Sequence, residues 1–149
     1  MLAMADAATK TITIAASPEQ CYDVVAEFER YPEWVNDIVA AEVVDRDAEG
    51  RPRDVKYTVS ALGRNTRYTL RYDYAQAPDR LRWELVEGDI MRAIDGSYRF
   101  VPSTDVPGGT DVTYDLSIEL VVPMPGFLKR RAEARILNTV HHLKSRAEG

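Results

Sequence analysis

Seven aromatic residues, Tyr57, Tyr68, Tyr72, Tyr74, Trp83, Tyr98 and Tyr114, occupy the apolar positions of segments that alternate with polar residues. Such alternation places them on one side of successive strands. The cleanest case is Thr66, Tyr68, Leu70, Tyr72 and Tyr74, interleaved with Arg67, Thr69, Arg71 and Asp73. A buried phenol needs a partner for its hydroxyl, and leaving that group alone costs about 1–3 kcal/mol. A close-packed core would normally use Phe or Leu, yet the chain has eight Tyr and three Phe. Two arrangements resolve the conflict. One is a cavity that holds water or a partly polar ligand; the other puts the rings at sheet edges with hydroxyls in solvent. The first predicts a cavity of about 300 Å³ or more, with Tyr57, Tyr68, Tyr72, Trp83, Tyr98 and Tyr114 forming its sheet wall.

Other candidate groups are few. Arg92 shares the parity of Ile94 and Tyr98. Facing inward, it would anchor a carboxylate or enolate oxygen; at the start of its strand, it would reach water at the rim. His141 and His142 are the only histidines. Adjacent helical positions point about 100° apart, so this pair cannot clamp one metal as an i, i+4 pair does. There is no Gly-x-Ser-x-Gly elbow, phosphate-binding glycine loop or dinucleotide fingerprint. No metal or cofactor is expected. Outward carboxylates such as Glu84, Asp111 and Asp115 read as a solvated sheet face.

The elements that must position these groups follow from the same periodicities. Thr9–Ile14 reads as a first strand. Ser17-Pro18-Glu19-Gln20 then has the form of a capping box with proline at the first helical position. Cys21, Val24, Val25 and Phe28 form one apolar helical stripe, which makes Cys21 a small core residue rather than a nucleophile. Glu27–Val35, interrupted by Pro32, reads as a short second helix or helical turn. Period two then takes over. Val39, Ala41 and Val43 define one strand; Val55, Tyr57, Val59 and Ala61 the next. The aromatic strands follow, with turns at Leu62–Asn65, Ala77-Pro78-Asp79 and Glu87-Gly88-Asp89. The sixth strand runs Ile90–Val101, with Asp95-Gly96 a bulge or hairpin turn inside it. The seventh runs Thr110–Leu120. Leu128, Ala132, Ile136, Val140 and Leu143, backed by Leu137, then form the stripe of one long helix. Short turns imply antiparallel neighbours, and only the last helix is long enough to cover the apolar sheet face. The expected fold is α+β: a seven-stranded antiparallel sheet curved around a long C-terminal helix, with two short helices between strands 1 and 2. Ile136 and Val140 would face the cavity from the helix.

Three segments carry a family likeness. Phe28-Glu29-Arg30-Tyr31-Pro32-Glu33-Trp34 is similar to the F-x-x-Y-P-x-W signature of START-like (SRPBCC) proteins, which include polyketide cyclase/dehydrase and coenzyme-Q-binding branches. Gly96-Ser97-Tyr98-Arg99-Phe100 resembles that family's G-x-W-R-F segment, with Tyr98 where Trp is usual. Gly108-Gly109-Thr110-Asp111-Val112-Thr113-Tyr114 resembles its G-G-T-x-V-x-Y strand. The resemblance spans nearly the whole chain. It implies a helix-grip fold with a hydrophobic cavity between sheet and C-terminal helix. It also implies a small hydrophobic ligand, lipid, quinone or polyketide-like, held by a carrier or binding protein. The alternative is a cyclase/dehydrase-type enzyme in which tyrosine hydroxyls and Arg92 position a polyketide-like chain. The binding reading is preferred because no group has an evident reason to titrate near pH 7. No catalytic residue is assigned.

Composition bounds the rest. The 149 residues are 45% hydrophobic and 29% charged, the balance of one globular domain spanning 1–149, with 1–7 expected to be a flexible N-terminus. A net charge of −5 disfavours a general nucleic-acid binder. One cysteine and the absence of a signal-peptide pattern suit a cytoplasmic protein. Charge is uneven: residues 126–149 carry six Lys/Arg and two Glu, a local +4, which leaves −9 on the rest. This basic segment follows an apolar loop, Val121-Val122-Pro123-Met124-Pro125-Gly126-Phe127. The loop either caps the cavity mouth, with Phe127 against the ligand, or packs on the sheet edge. Together, loop and basic helix suit a transient contact with an anionic membrane; simple decoration of a solvated helix face is the competing reading.

Overall fold

Strand β1 (Ala7–Ile14) leads into α1 (Pro18–Ala26) and a 3-10 turn over Phe28–Glu33. Six strands follow: β2 (Ile38–Arg46), β3 (Pro52–Ala61), β4 (Arg64–Asp73), β5 (Arg80–Gly88), β6 (Met91–Pro102) and β7 (Thr110–Leu120). The chain ends in α2 (Gly126–Leu137) and α3 (Thr139–Glu148). This computed structural model describes residues 7–61, 64–121 and 125–149. The expected flexible terminus, the turn at Leu62-Gly63 and the middle of the apolar loop lie outside the described residues.

All seven strands form one antiparallel sheet in the order β1-β7-β6-β5-β4-β3-β2. The chain pairs neighbour with neighbour from β2 to β7, and β1 closes on β7 at the far edge. One face of the sheet is buried and the other is polar. The expected α+β helix grip is therefore the fold observed.

Local chemistry explains the first turn of α1. Ser17 Oγ accepts from the Gln20 N–H at 3.1 Å, and the Ser17 N–H donates to Gln20 Oε1 at 2.8 Å. Cys21 and Val25 are buried. Burial pushes the Cys21 thiol up, which disfavours the nucleophilic thiolate and fits its place in the core. The 3-10 turn is tied back to α1 by Tyr31, whose hydroxyl donates to the Val25 carbonyl at 2.6 Å. That bond turns Phe28, Tyr31 and Trp34 into the core.

Three details depart from simple periodicity. The register shifts between Ile38 and Ala40, so Val39 is 54% exposed instead of sharing a face with Ala41 and Val43. Pairing of β6 continues without a shift through Asp95 and Gly96, so neither a bulge nor a turn exists there; the irregularity lies between Met91 and Ala93. Gly96 is instead required by packing. A Cβ on it would lie 2.4 Å from the Trp83 indole ring. The third departure is in the C-terminal helix, which is divided at Asn138. The Asn138 side chain accepts from Lys10 Nζ of β1 at 2.9 Å, which pins the junction to the sheet edge.

The division coincides with a change in which face is buried. Leu137, Val140 and Leu143 are buried, and a period of 3.6 read back from Leu137 lands on Glu133. Glu133 is indeed buried at 6% exposure, whereas Leu128 is 39% exposed and Ala132 is exposed. The expected stripe through Leu128 and Ala132 is thus displaced by one residue, or about 100° around the axis. No helix among the described residues is long and apolar enough to cross a membrane.

Candidate functional site

The buried face of the sheet is a continuous run of aromatic rings. Register pairs Tyr57 with Tyr68, Tyr72 with Trp83, and Tyr98 with Tyr114 across neighbouring strands. Ring centroids follow one another at 5.6 Å (Tyr57–Tyr68), 5.9 Å (Tyr72–Trp83), 5.4 Å (Trp83–Tyr98) and 4.6 Å (Tyr98–Tyr114). Tyr57, Tyr72, Trp83, Tyr98 and Tyr114 are buried, and Tyr68 and Tyr74 are half-buried. All seven share the face that alternation assigned them.

Their hydroxyls divide into two groups. Tyr57 and Tyr72 hydroxyls bond each other at 2.6 Å, and Tyr74 donates to the Pro52 carbonyl. Over this pair sits the 3-10 turn: Phe28 stacks on Tyr72 at 4.0 Å, and Tyr31 on Tyr57 at 5.8 Å. That end of the grip is filled by the protein itself. Among the described residues, the hydroxyls of Tyr68, Tyr98 and Tyr114 have no hydrogen-bond partner. Burial raises every one of these phenols, Tyr68 to about 12. At neutral pH they are protonated groups that can donate or accept a hydrogen bond, and they are not bases.

The helices cover the β1/β7 end. α2 packs on β1 and β7, and α3 packs on β1 and α1. Val140 is buried and Ile136 half-buried, both on the covering helices as expected. Glu133, on the buried side of α2, escaped the sequence reading because its type suggested solvent. Starting the helical period from the three-residue spacing of Leu137, Val140 and Leu143 would have placed it inward.

Two candidates lie elsewhere. Arg92 is exposed and pairs with Glu119 at 3.2 Å across the neighbouring strands β6 and β7, which is the water-reaching position at the strand start and corrects the inward one. The irregularity between Met91 and Ala93 breaks the parity that linked Arg92 to Ile94. Phe127 is 59% exposed in the first turn of α2. Of the two histidines, His141 is exposed, and His142 Nε2 lies 3.1 Å from the Asn36 amide. Among the described residues, no group of three or more His, Cys, Asp or Glu is placed to hold a metal.

The 3-10 aromatic turn, the close-packed Gly96 and the grip of sheet on helix coincide with a family match over residues 14–142, described as "Polyketide cyclase / dehydrase and lipid transport". The chain belongs to this family. Solved members of the same START-like fold superpose over almost its full length. A START superfamily protein from Mycobacterium smegmatis is 27% identical with a TM-score of 0.86, covering 95% of this chain and 97% of its own. The Zhui aromatase/cyclase from Streptomyces sp. R1128 is 16% identical with a TM-score of 0.81, covering 96% and 93%. StfQ, a di-domain ARO/CYC from the steffimycin biosynthetic pathway, is 20% identical with a TM-score of 0.68; the match covers 95% of this chain and 44% of StfQ. The last two likenesses concern fold alone. No curated protein matches the sequence. Tyr98, within Gly96-Ser97-Tyr98-Arg99-Phe100, contributes a hydroxyl to the buried face.

Proposed function

We propose that this family member binds one small, mainly apolar molecule with polar substituents between the sheet and α2, and carries it chemically unchanged. The ligand is lipid, quinone or polyketide-like. Tyr68, Trp83, Tyr98 and Tyr114 would face it from the sheet, and Ile136 and Val140 from the helices; Tyr57 and Tyr72 support the wall from behind their mutual bond. The observation that carries this reading is the set of phenols on the buried face without hydrogen-bond partners among the described residues. These three hydroxyls are not among the fully buried unpaired atoms, so they open into space that water or the polar groups of a ligand can enter and pair with them there.

A hydroxylated anthraquinone such as emodin tests it by fluorescence titration. Saturable one-to-one binding is expected, weakened about two- to tenfold by Tyr98→Phe or Tyr114→Phe, the loss of one hydrogen bond. Tyr74→Phe, whose hydroxyl already serves Pro52, should bind as the parent does. Equal affinities for all three variants would contradict the site.

One observation favours a second reading, a cyclase/dehydrase-type enzyme. Glu133 places a buried carboxylate on the side of α2 that faces β1 and β7. Recovery of a poly-β-ketone ligand as a cyclised or dehydrated product, lost in Glu133→Gln while binding persists, would replace the carrier reading.

A further inference from the structure

The cations of the C-terminal segment are not equivalent. Arg135 grips the Asp37 carboxylate with two bonds of 2.6 and 2.8 Å, Arg146 reaches Glu33 at 2.7 Å, and Lys144 pairs with Glu148. These three are neutralised within the molecule. Arg130 and Arg131, at the start of α2, are exposed and have no carboxylate within ion-pair reach among the described residues. Beside them, the helix leaves Phe127 59% and Leu128 39% exposed, and Val121 at the end of β7 is 45% exposed. The other large exposed apolar residues, Val39, Val44, Val86 and Val101, are dispersed over β2, β5 and β6. Free positive charge and exposed apolar surface therefore meet at one place.

We propose that this tip docks reversibly on an anionic phospholipid bilayer. Phe127 and Leu128 would enter the headgroup boundary, and Arg130 and Arg131 would meet lipid phosphates and carboxylates. The −9 carried by residues 1–125 is repelled by the same surface, so the molecule can approach only by the α2 start. This inference does not rest on the ligand site: docking requires no cavity, and a cavity requires no docking. The contact is weak by construction. Each basic side chain near such a surface raises partitioning about fivefold, so losing two costs about thirtyfold.

The test is co-sedimentation with vesicles of phosphatidylcholine alone or of phosphatidylcholine with phosphatidylserine. Retention is expected on the anionic vesicles at low salt and should fall steeply at physiological salt as the Debye length shrinks. Arg130→Glu/Arg131→Glu should lose about thirtyfold or more in partitioning, and Phe127→Ser should weaken binding at every salt concentration. The matched control is Arg82→Glu/Arg99→Glu, an equal charge change at exposed positions on the polar sheet face, and it should retain most of the binding. Circular dichroism of each variant verifies folding. The proposal is overturned if neither vesicle type retains the protein at low salt, if both retain it equally, or if the two double variants lose equally.

Discussion

Phe28→Ala should lower stability by about 3–5 kcal/mol, the cost of deleting a large buried aromatic whose site cannot fully collapse. Phe28 is 1% exposed and stacks on Tyr72 at 4.0 Å, with Tyr31 edge-on at 5.7 Å. It also closes one end of the grip, so its loss removes the cover from the Tyr57–Tyr72 hydroxyl pair. For a chain of this length, that corresponds to a fall in Tm of roughly 10 °C or more. The comparison is Phe127→Ala, which deletes the same ring from a 59% exposed position and should change stability by less than about 0.5 kcal/mol. Thermal or urea denaturation of the two variants decides it. Equal effects would mean that the 3-10 turn does not plug the sheet.

Gly96→Ala has the second-largest expected effect, a loss of about 1–3 kcal/mol from overpacking. The added methyl would sit 2.4 to 2.5 Å from three atoms of the Trp83 ring, in the middle of a paired strand where neither backbone can withdraw cheaply. In a Trp83→Leu background the ring is gone. There the same substitution should become neutral or slightly stabilising, because alanine loses less backbone entropy than glycine on folding. A double-mutant cycle with additive effects would show that the indole is not what excludes a side chain at residue 96.

Both residues illustrate what could be read from the sequence. The order of the seven strands and of the two short helices after the first, the capping box at Ser17 and the single-faced aromatics depend on local periodicity and appear in the fold as read, whereas the division of the C-terminal helix at Asn138 does not. Gly96 stood out as a motif residue, but its reason was not local: the constraint comes from Trp83 on the neighbouring strand. Val39 was misplaced, and Arg92 left open between the inward face and the rim, by the same mechanism. A one-residue irregularity reverses parity, and whether a pair of strands shifts register depends on the partner strand. Glu133 was overlooked because residue type argues for solvent, whereas the register of α2 is set by Leu137, Val140 and Leu143 packing beneath it. The basic C-terminal segment was legible as net charge only. Which cations are neutralised depends on Glu33 and Asp37, about a hundred residues away in sequence.

The central claim is that the aromatic face, beyond the part filled by the 3-10 turn, holds a small hydrophobic molecule. Native mass spectrometry of the purified protein, before and after extraction with organic solvent, tests it most directly. The account predicts a population heavier than the chain by the mass of one small molecule, lost on extraction and restored by adding back the extract. A single species at the mass of the chain in both samples, with no mass gained from the extract or from a lipid, quinone or hydroxylated aromatic, would contradict it.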